Sequence, residues 1–191
     1  MARLERSVAV LLAAGLSQRF GGPGKLVATF RGSPLAMHAA RTITALPLSR
    51  RLAVCRSDDD ELAAMLAEIG FAVVRNPDAS RGLASSLALG VQAAGDPEAL
   101  LVCLGDMPLV GEAHLRTLIE RVAPGGIVAS VAGPGEAPMP PAAFSRGRLP
   151  ELLVISGDRG ARHLLQSADL QVAPAGTLAD FDTREDFASA Q

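Results

Sequence analysis

Short apolar runs alternate with amphipathic stretches along most of this chain, and that alternation leaves few folds open. The runs at 8–13, 51–55, 71–74, 99–104 and 127–131 are the length of buried strands and too short for core helices. Between them, 35–46, 58–69, 85–94 and 112–122 read as helices, with Asp58, Asp59 and Asp60 suiting the positive end of a helix dipole. Apolar strands alternating with helices predict an α/β fold. Its mostly parallel, mixed sheet would be covered by helices on both faces, in one three-layer domain over residues 1–191. The pattern breaks at 132–150, which is rich in Pro and Gly and offers a strand only around Phe144. A helix at 160–166, an edge strand at 170–173 and a Thr183/Asp186 capping box opening a last helix complete the reading.

Composition narrows the function. Aromatic residues are 3% of the chain, with no Trp or Tyr, which leaves little for stacking bases. The formal net charge is −2 and no basic block is present, so a nucleic-acid backbone is not an expected partner. Cys55 and Cys103 fall inside predicted strands and read as buried free thiols. The apolar run near the N-terminus ends at Gly15 after eight residues, which suits a strand rather than a signal peptide. No run reaches the roughly 20 apolar residues of a membrane span, and the expected location is cytoplasmic.

In open parallel sheets, ligands bind beyond the carboxyl ends of the strands. The loops there are the unusual ones. The first, LAAGLSQRFGGPGK (12–25), puts small Ala13, Ala14 and Gly15 directly after the strand, then Arg19 and Lys25. Backbone amides plus two cations suit a triphosphate, though a Gly-rich surface turn is the plainer alternative. It is neither a Walker A loop nor a GxGxxG fingerprint. Asp106 ends the apolar run 99–104, where a carboxylate serves either a strand-ending turn or a magnesium ion. Asp180 and Asp182 share a face if extended, and at about 4 Å would repel by roughly 4 kcal/mol unless a metal or a helix cap relieved them. Ser85 and Ser86 open a helix after Gly82, as N-caps or as a polar site. Asp158 and Arg162, four apart, either pair with each other or face a ligand. His38, His114 and His163 are isolated and receive no catalytic role.

The run 12–25 resembles the signature LAAGxSxRxGxxxK of the MobA-like nucleotidyltransferases, and is most similar to the molybdenum cofactor cytidylyltransferases among them. NPDASRGLASSLALG (76–90), LGDMP (104–108), SGDRGARHLL (156–165) and DFDTREDF (180–187) match further blocks in the family's order. The resemblance implies a Rossmann-like, GT-A-like nucleotidyltransferase fold. It implies transfer of CMP from CTP to the terminal phosphate of molybdopterin, with release of pyrophosphate. Arg19, Lys25 and Asp106 would be catalytic. Leu12, Ala13, Ala14, Gly15, Lys25, Arg81, Gly82, Ser85 and Ser86 would bind the nucleotide. Asp106 with Asp182 (or Asp180) would hold Mg²⁺, or Mn²⁺ in its place, and Asp158 and Arg162 would face the acceptor. A molybdenum hydroxylase apoenzyme is the implied recipient.

CTP over GTP rests on Ala14, since guanylyltransferases of the family usually carry LAGG. One stretch departs from the family: MPPAAF (139–144) lacks the His of a Gly-His-Pro-like segment, which leaves the acceptor open. The alternatives are a molybdopterin guanylyltransferase, a nucleotidyltransferase for another sugar or polyol phosphate, and a non-catalytic carrier of the cofactor. A dinucleotide-binding oxidoreductase is disfavoured, because the fingerprint is missing and the second strand ends in Cys55–Arg56 rather than an acid.

Overall fold

The computed structural model describes residues 3–16, 20, 24–155, 160–181 and 183–189. Among the described residues there are nine strands: β1 Ser7–Ala13, β2 Thr29–Phe30, β3 Ser33–Pro34, β4 Arg50–Arg56, β5 Ala72–Asn76, β6 Ala99–Leu104, β7 Ile127–Val131, β8 Met139–Ser145 and β9 Asp169–Val172. The same residues hold seven α-helices: α1 Leu35–Thr44, α2 Asp60–Glu68, α3 Leu83–Ala94, α4 Glu112–Arg121, α5 Leu149–Leu153, α6 Gly160–Leu165 and α7 Arg184–Ser189. The main sheet has seven strands in the order β5-β4-β1-β6-β8-β7-β9. All neighbours are parallel except β8, which runs antiparallel to both β6 and β7.

The period-two pleat divides each central strand between two cores. On β1, Ala9, Leu11 and Ala13 face one core and Val8, Val10 and Leu12 the other. Strand β6 splits likewise into Leu101 and Cys103 against Leu100 and Val102. Helices α1, α2 and α4 close the first face, with Leu35, Ile43, Leu62, Leu66, Leu115 and Leu118. Helices α3 and α5 close the second, with Leu87, Val91, Leu149 and Leu152. Both faces are buried, so β6 is apolar throughout and β1 is apolar after Ser7, and this is the mostly parallel three-layer sheet expected from the sequence.

Helix α3 lies against the sheet at Gly90. A Cβ there would sit 2.6 Å from Val10 Cγ1 and 3.3 Å from Val54 Cγ2. Gly→Ala in an exposed helix gains up to about 1 kcal/mol of propensity. Here overpacking wins, because both valines are buried and have nowhere to go. Gly90→Ala is expected to destabilise by about 1–2 kcal/mol. A urea midpoint at or above wild type would contradict this.

Three features differ from the sequence reading. Residues 139–145 form a complete central strand, although two prolines lack ladder donors. Pro140 and Pro141 are accommodated by a register shift: Ala129 pairs with Ala142 but Ser130 with Met139, so the regular ladder begins only after the prolines. Helix α5 holds Pro150 in its first turn, where no donor is missed. A small hairpin, β2–β3, interrupts the first long loop, turning at Arg31–Gly32 with positive φ at both residues. The outer strand β9 is the expected edge. Its Leu170 carbonyl accepts from the Arg121 guanidinium and its Val172 carbonyl from the Gln171 amide. The Thr183/Asp186 capping box is formed, each backbone N–H donating to the other's side chain (2.6 and 3.2 Å).

Buried His114 places Nε2 2.8 Å from Ser130 Oγ, and that hydroxyl donates to the Pro141 carbonyl at 2.6 Å. The hydroxyl proton is spent on the carbonyl, so His114 donates as the neutral Nε2–H tautomer. Burial holds its pKa below the usual imidazole value. Above about pH 6.5 both folded and unfolded chains carry the ring neutral and stability is flat in this group. Below it the unfolded chain takes up a proton that the folded chain refuses, so stability falls as pH falls. Urea unfolding at pH 7.5 and 5.5 is expected to show an acid loss that shrinks in His114→Gln. An equal loss in both would contradict it.

Candidate active site

Strand β1 delivers Ala13 and Ala14, both buried, and then exposed Gly15 to the carboxyl edge of the sheet. The chain returns through Gly24, whose φ of 109° is open to glycine at little strain, into a 3-10 turn over Lys25–Val27. That turn is tied back by the Ala28 N–H to the Gly24 carbonyl at 2.8 Å. It sinks the Lys25 side chain to 7% exposure.

Strand β6 stops at Leu104 and hands Gly105 and Asp106 to the same edge. The Gly105 N–H donates to the Leu12 carbonyl at 3.0 Å, locking this turn to the end of β1. Lys25 Nζ then donates to Asp106 Oδ2 at 2.8 Å across 81 positions of sequence. Asp106 keeps 24% exposure, so its carboxylate is partly open to solvent.

The C-terminal segment is fastened to the same turn. The Phe181 N–H donates to the Asp106 carbonyl at 3.1 Å. Its ring lies 4.8 Å from Phe30 and 5.8 Å from Phe187, centroid to centroid. Phe187 also meets Phe20 at 5.1 Å. This aromatic cluster brings exposed Asp180 to the neighbourhood of Asp106.

A second polar group lies at the end of β5. Buried Asn76 donates through Nδ2 to Ser85 Oγ (3.0 Å) and Ser86 Oγ (2.9 Å), and its Oδ1 accepts from the Asp78 N–H at 2.8 Å. Gly82, at φ 90°, is the residue before the first turn of α3. The serines are therefore not N-caps, because the helix begins two residues earlier than the sequence reading placed it. Ser85 turns its hydroxyl back to the Gly82 carbonyl at 2.8 Å. A cleft of about 360 Å³ opens beside it, lined by Asn76, Arg81, Ser85, Leu89, Leu153 and Ile155 among others.

The family model for a MobA-like NTP transferase domain matches residues 9–172, which contain all of these strand ends. The chain belongs to the MobA-like NTP transferase family. The purine catabolism protein PucB of Bacillus subtilis is 30% identical over 94% of this chain and 93% of its own. The nicotine blue oxidoreductase of Paenarthrobacter nicotinovorans is 29% identical over 82% and 80%. Among solved structures, a nucleotidyl transferase from Methanothermobacter thermautotroptrophicus superposes with a TM-score of 0.82 at 22% identity, over 96% of this chain and 94% of that one. A Mycobacterium tuberculosis protein described in complex with manganese gives 0.77 at 22% identity, over 96% and 97%.

Within this MobA-like domain the sequence-predicted residues divide into groups. Lys25 and Asp106 touch. Leu12, Ala13, Ala14 and Gly15 lie on the adjoining strand end, and Arg81, Gly82, Ser85 and Ser86 lie around α3's start. Arg81 is exposed, 3.9 Å from Asp78. Arg162 is exposed on α6. Arg19, Asp158 and Asp182 lie outside the described residues. Asn76 was singled out only as the first letter of its block, because Asn after a strand reads as an ordinary turn. Among the described residues no group of three His, Cys, Asp or Glu could hold a metal. Even a single carboxylate such as Asp106 suits a magnesium-type ion, which takes one or two carboxylates and completes its shell with phosphate oxygens and water. An ammonium already on Oδ2 marks that oxygen as a place where positive charge is accepted. Both cysteines are buried, and burial pushes Cys55 up to about 11, so neither is poised as a nucleophile. Among the described residues no helix is long and apolar enough to cross a membrane.

Asn76→Leu removes both donors from the two hydroxyls. It is expected to cost about 1–3 kcal/mol and to raise KM for the nucleotide more than it lowers kcat. Steady-state kinetics with an unchanged KM would argue against a positioning role.

Proposed function

We propose that this protein transfers CMP from CTP to the terminal phosphate of molybdopterin, releasing pyrophosphate and giving molybdopterin cytosine dinucleotide. The Lys25–Asp106 pair carries the reading: an ammonium suited to phosphate and a carboxylate suited to a divalent cation stand 2.8 Å apart at the carboxyl edge of the parallel strands. Lys25 and Arg19 would neutralise the departing pyrophosphate. The amides at the end of β1 and just beyond it, at Ala13, Ala14 and Gly15, would line the nucleotide together with Leu12. Arg81, Gly82, Ser85 and Ser86 would hold base and ribose, and Asp158 and Arg162 the acceptor. An acceptor phosphate arrives ionised, so no general base is needed and alignment does most of the work.

Asp106, with Asp182 or Asp180, would hold Mg²⁺, with Mn²⁺ as a substitute. The manganese complex of the tuberculosis neighbour is in keeping with that choice. When bound, the ion supplies charge neutralisation at the α-phosphate. Ala14 supports a pyrimidine triphosphate: guanylyltransferases of the family usually carry Gly at this position, and the extra methyl group would crowd a purine. A molybdenum hydroxylase would receive the product.

The oxidoreductase name of one relative favours testing a second class of reaction. The loop after β1 lacks GxGxxG and β4 ends in Cys55–Arg56, which supports nucleotide transfer instead. The deciding assay is pyrophosphate release with Mg²⁺, comparing CTP, GTP and ATP, with molybdenum cofactor as acceptor. CTP-selective release supports the proposal. GTP-selective release makes the protein a guanylyltransferase. No release despite tight cofactor binding makes it a carrier.

A further inference from the structure

The Lys25–Asp106 contact holds more than two adjacent functional groups. Lys25 Nζ sits on Oδ2 of Asp106, the carboxylate that the proposed reaction gives to a divalent cation. The ammonium is not a loosely tethered surface charge. Its side chain is 7% exposed, and its backbone is fixed by the 3-10 turn that follows Gly24. A divalent cation arriving alone would meet a positive charge it cannot readily push aside, and repulsion at a few ångströms is strong where water is sparse. A triphosphate changes the balance, since its oxygens give the ammonium and the metal each a negative partner.

We propose that Lys25 is a stand-in cation on Asp106: it makes the site reject a divalent metal alone and accept metal and triphosphate together. The inference rests on the assignment of Asp106 as the metal carboxylate. It makes Lys25 a residue that opposes metal binding before it serves phosphate binding. A lysine that served only the phosphates would leave the affinity for free metal untouched.

The test is Mn²⁺ binding in the absence of any nucleotide, followed by the loss of the free-ion electron paramagnetic resonance signal. Four proteins are compared: wild type, Lys25→Met, Asp106→Asn and the double variant. Lys25→Gln is run beside Lys25→Met, with melting curves to establish that each folds. Removing the ammonium is expected to tighten Mn²⁺ binding by roughly tenfold or more, and the double variant to abolish the gain. Equal or weaker binding by both folded Lys25 variants overturns the stand-in role, while Asp106 as metal ligand survives if Asp106→Asn binds less than wild type. A gain that persists in the double variant overturns the assignment of Asp106 itself.

Discussion

Asp106→Asn is expected to lower kcat/KM for nucleotide transfer by about 10²–10³-fold, the scale of losing one preorganised charge from a phosphoryl-type transition state. The substitution keeps volume and removes only charge. The backbone carbonyl that receives the Phe181 N–H is unaffected, so the C-terminal segment stays in place. Stability should change far less than activity. Lys25 loses a counter-charge, and breaking a fully buried pair costs about 3–5 kcal/mol. Asp106 is 24% exposed, however, so solvent screens the loss. About 1–2 kcal/mol is the expected remainder. Pyrophosphate release and urea midpoints on the same preparations separate the two effects. A variant with wild-type turnover would remove Asp106 from the mechanism.

Phe181→Ala should produce the largest stability loss, about 3–5 kcal/mol. The ring is 2% exposed and packs against Phe30 and Phe187. Activity should fall beyond what unfolding explains, because the ring's packing on Phe30 and Phe187 is what anchors the segment carrying Asp180 beside the Asp106 turn. Phe181→Leu refills most of the space and is expected to cost less than about 1.5 kcal/mol while restoring most of the rate. If the alanine variant, measured well below its melting temperature, turns over as fast as wild type, the segment plays no part in the site.

The apolar runs were legible because both sheet faces are covered, so strands such as β1 and β6 carry no polar interruption. Prolines misled the reading at β8 and α5 for one reason: a missing N–H is costly in a ladder, but harmless at a register shift or in a helix's first turn. Lys25 and Asp106 were legible as types in telling places. Their contact was not, because 81 positions separate them and only the parallel pairing of β1 with β6 makes them neighbours. The cluster of Phe20, Phe30, Phe181 and Phe187 was equally invisible, since each ring alone is an ordinary core residue. Asn76 was missed because its bonds to Ser85 and Ser86 require α3 to begin at Leu83.

Strand β8 is made after β7 yet inserts between β7 and β6. A growing chain that has reached only residue 131 therefore owns both flanking strands without the piece that unites them. Until 139–145 leaves the ribosome, β6 presents a bare apolar edge of the kind that captures foreign strands. Synthesis of this protein thus has a vulnerable interval late in translation. Chains stalled there should depend on chaperones more than either shorter or finished ones.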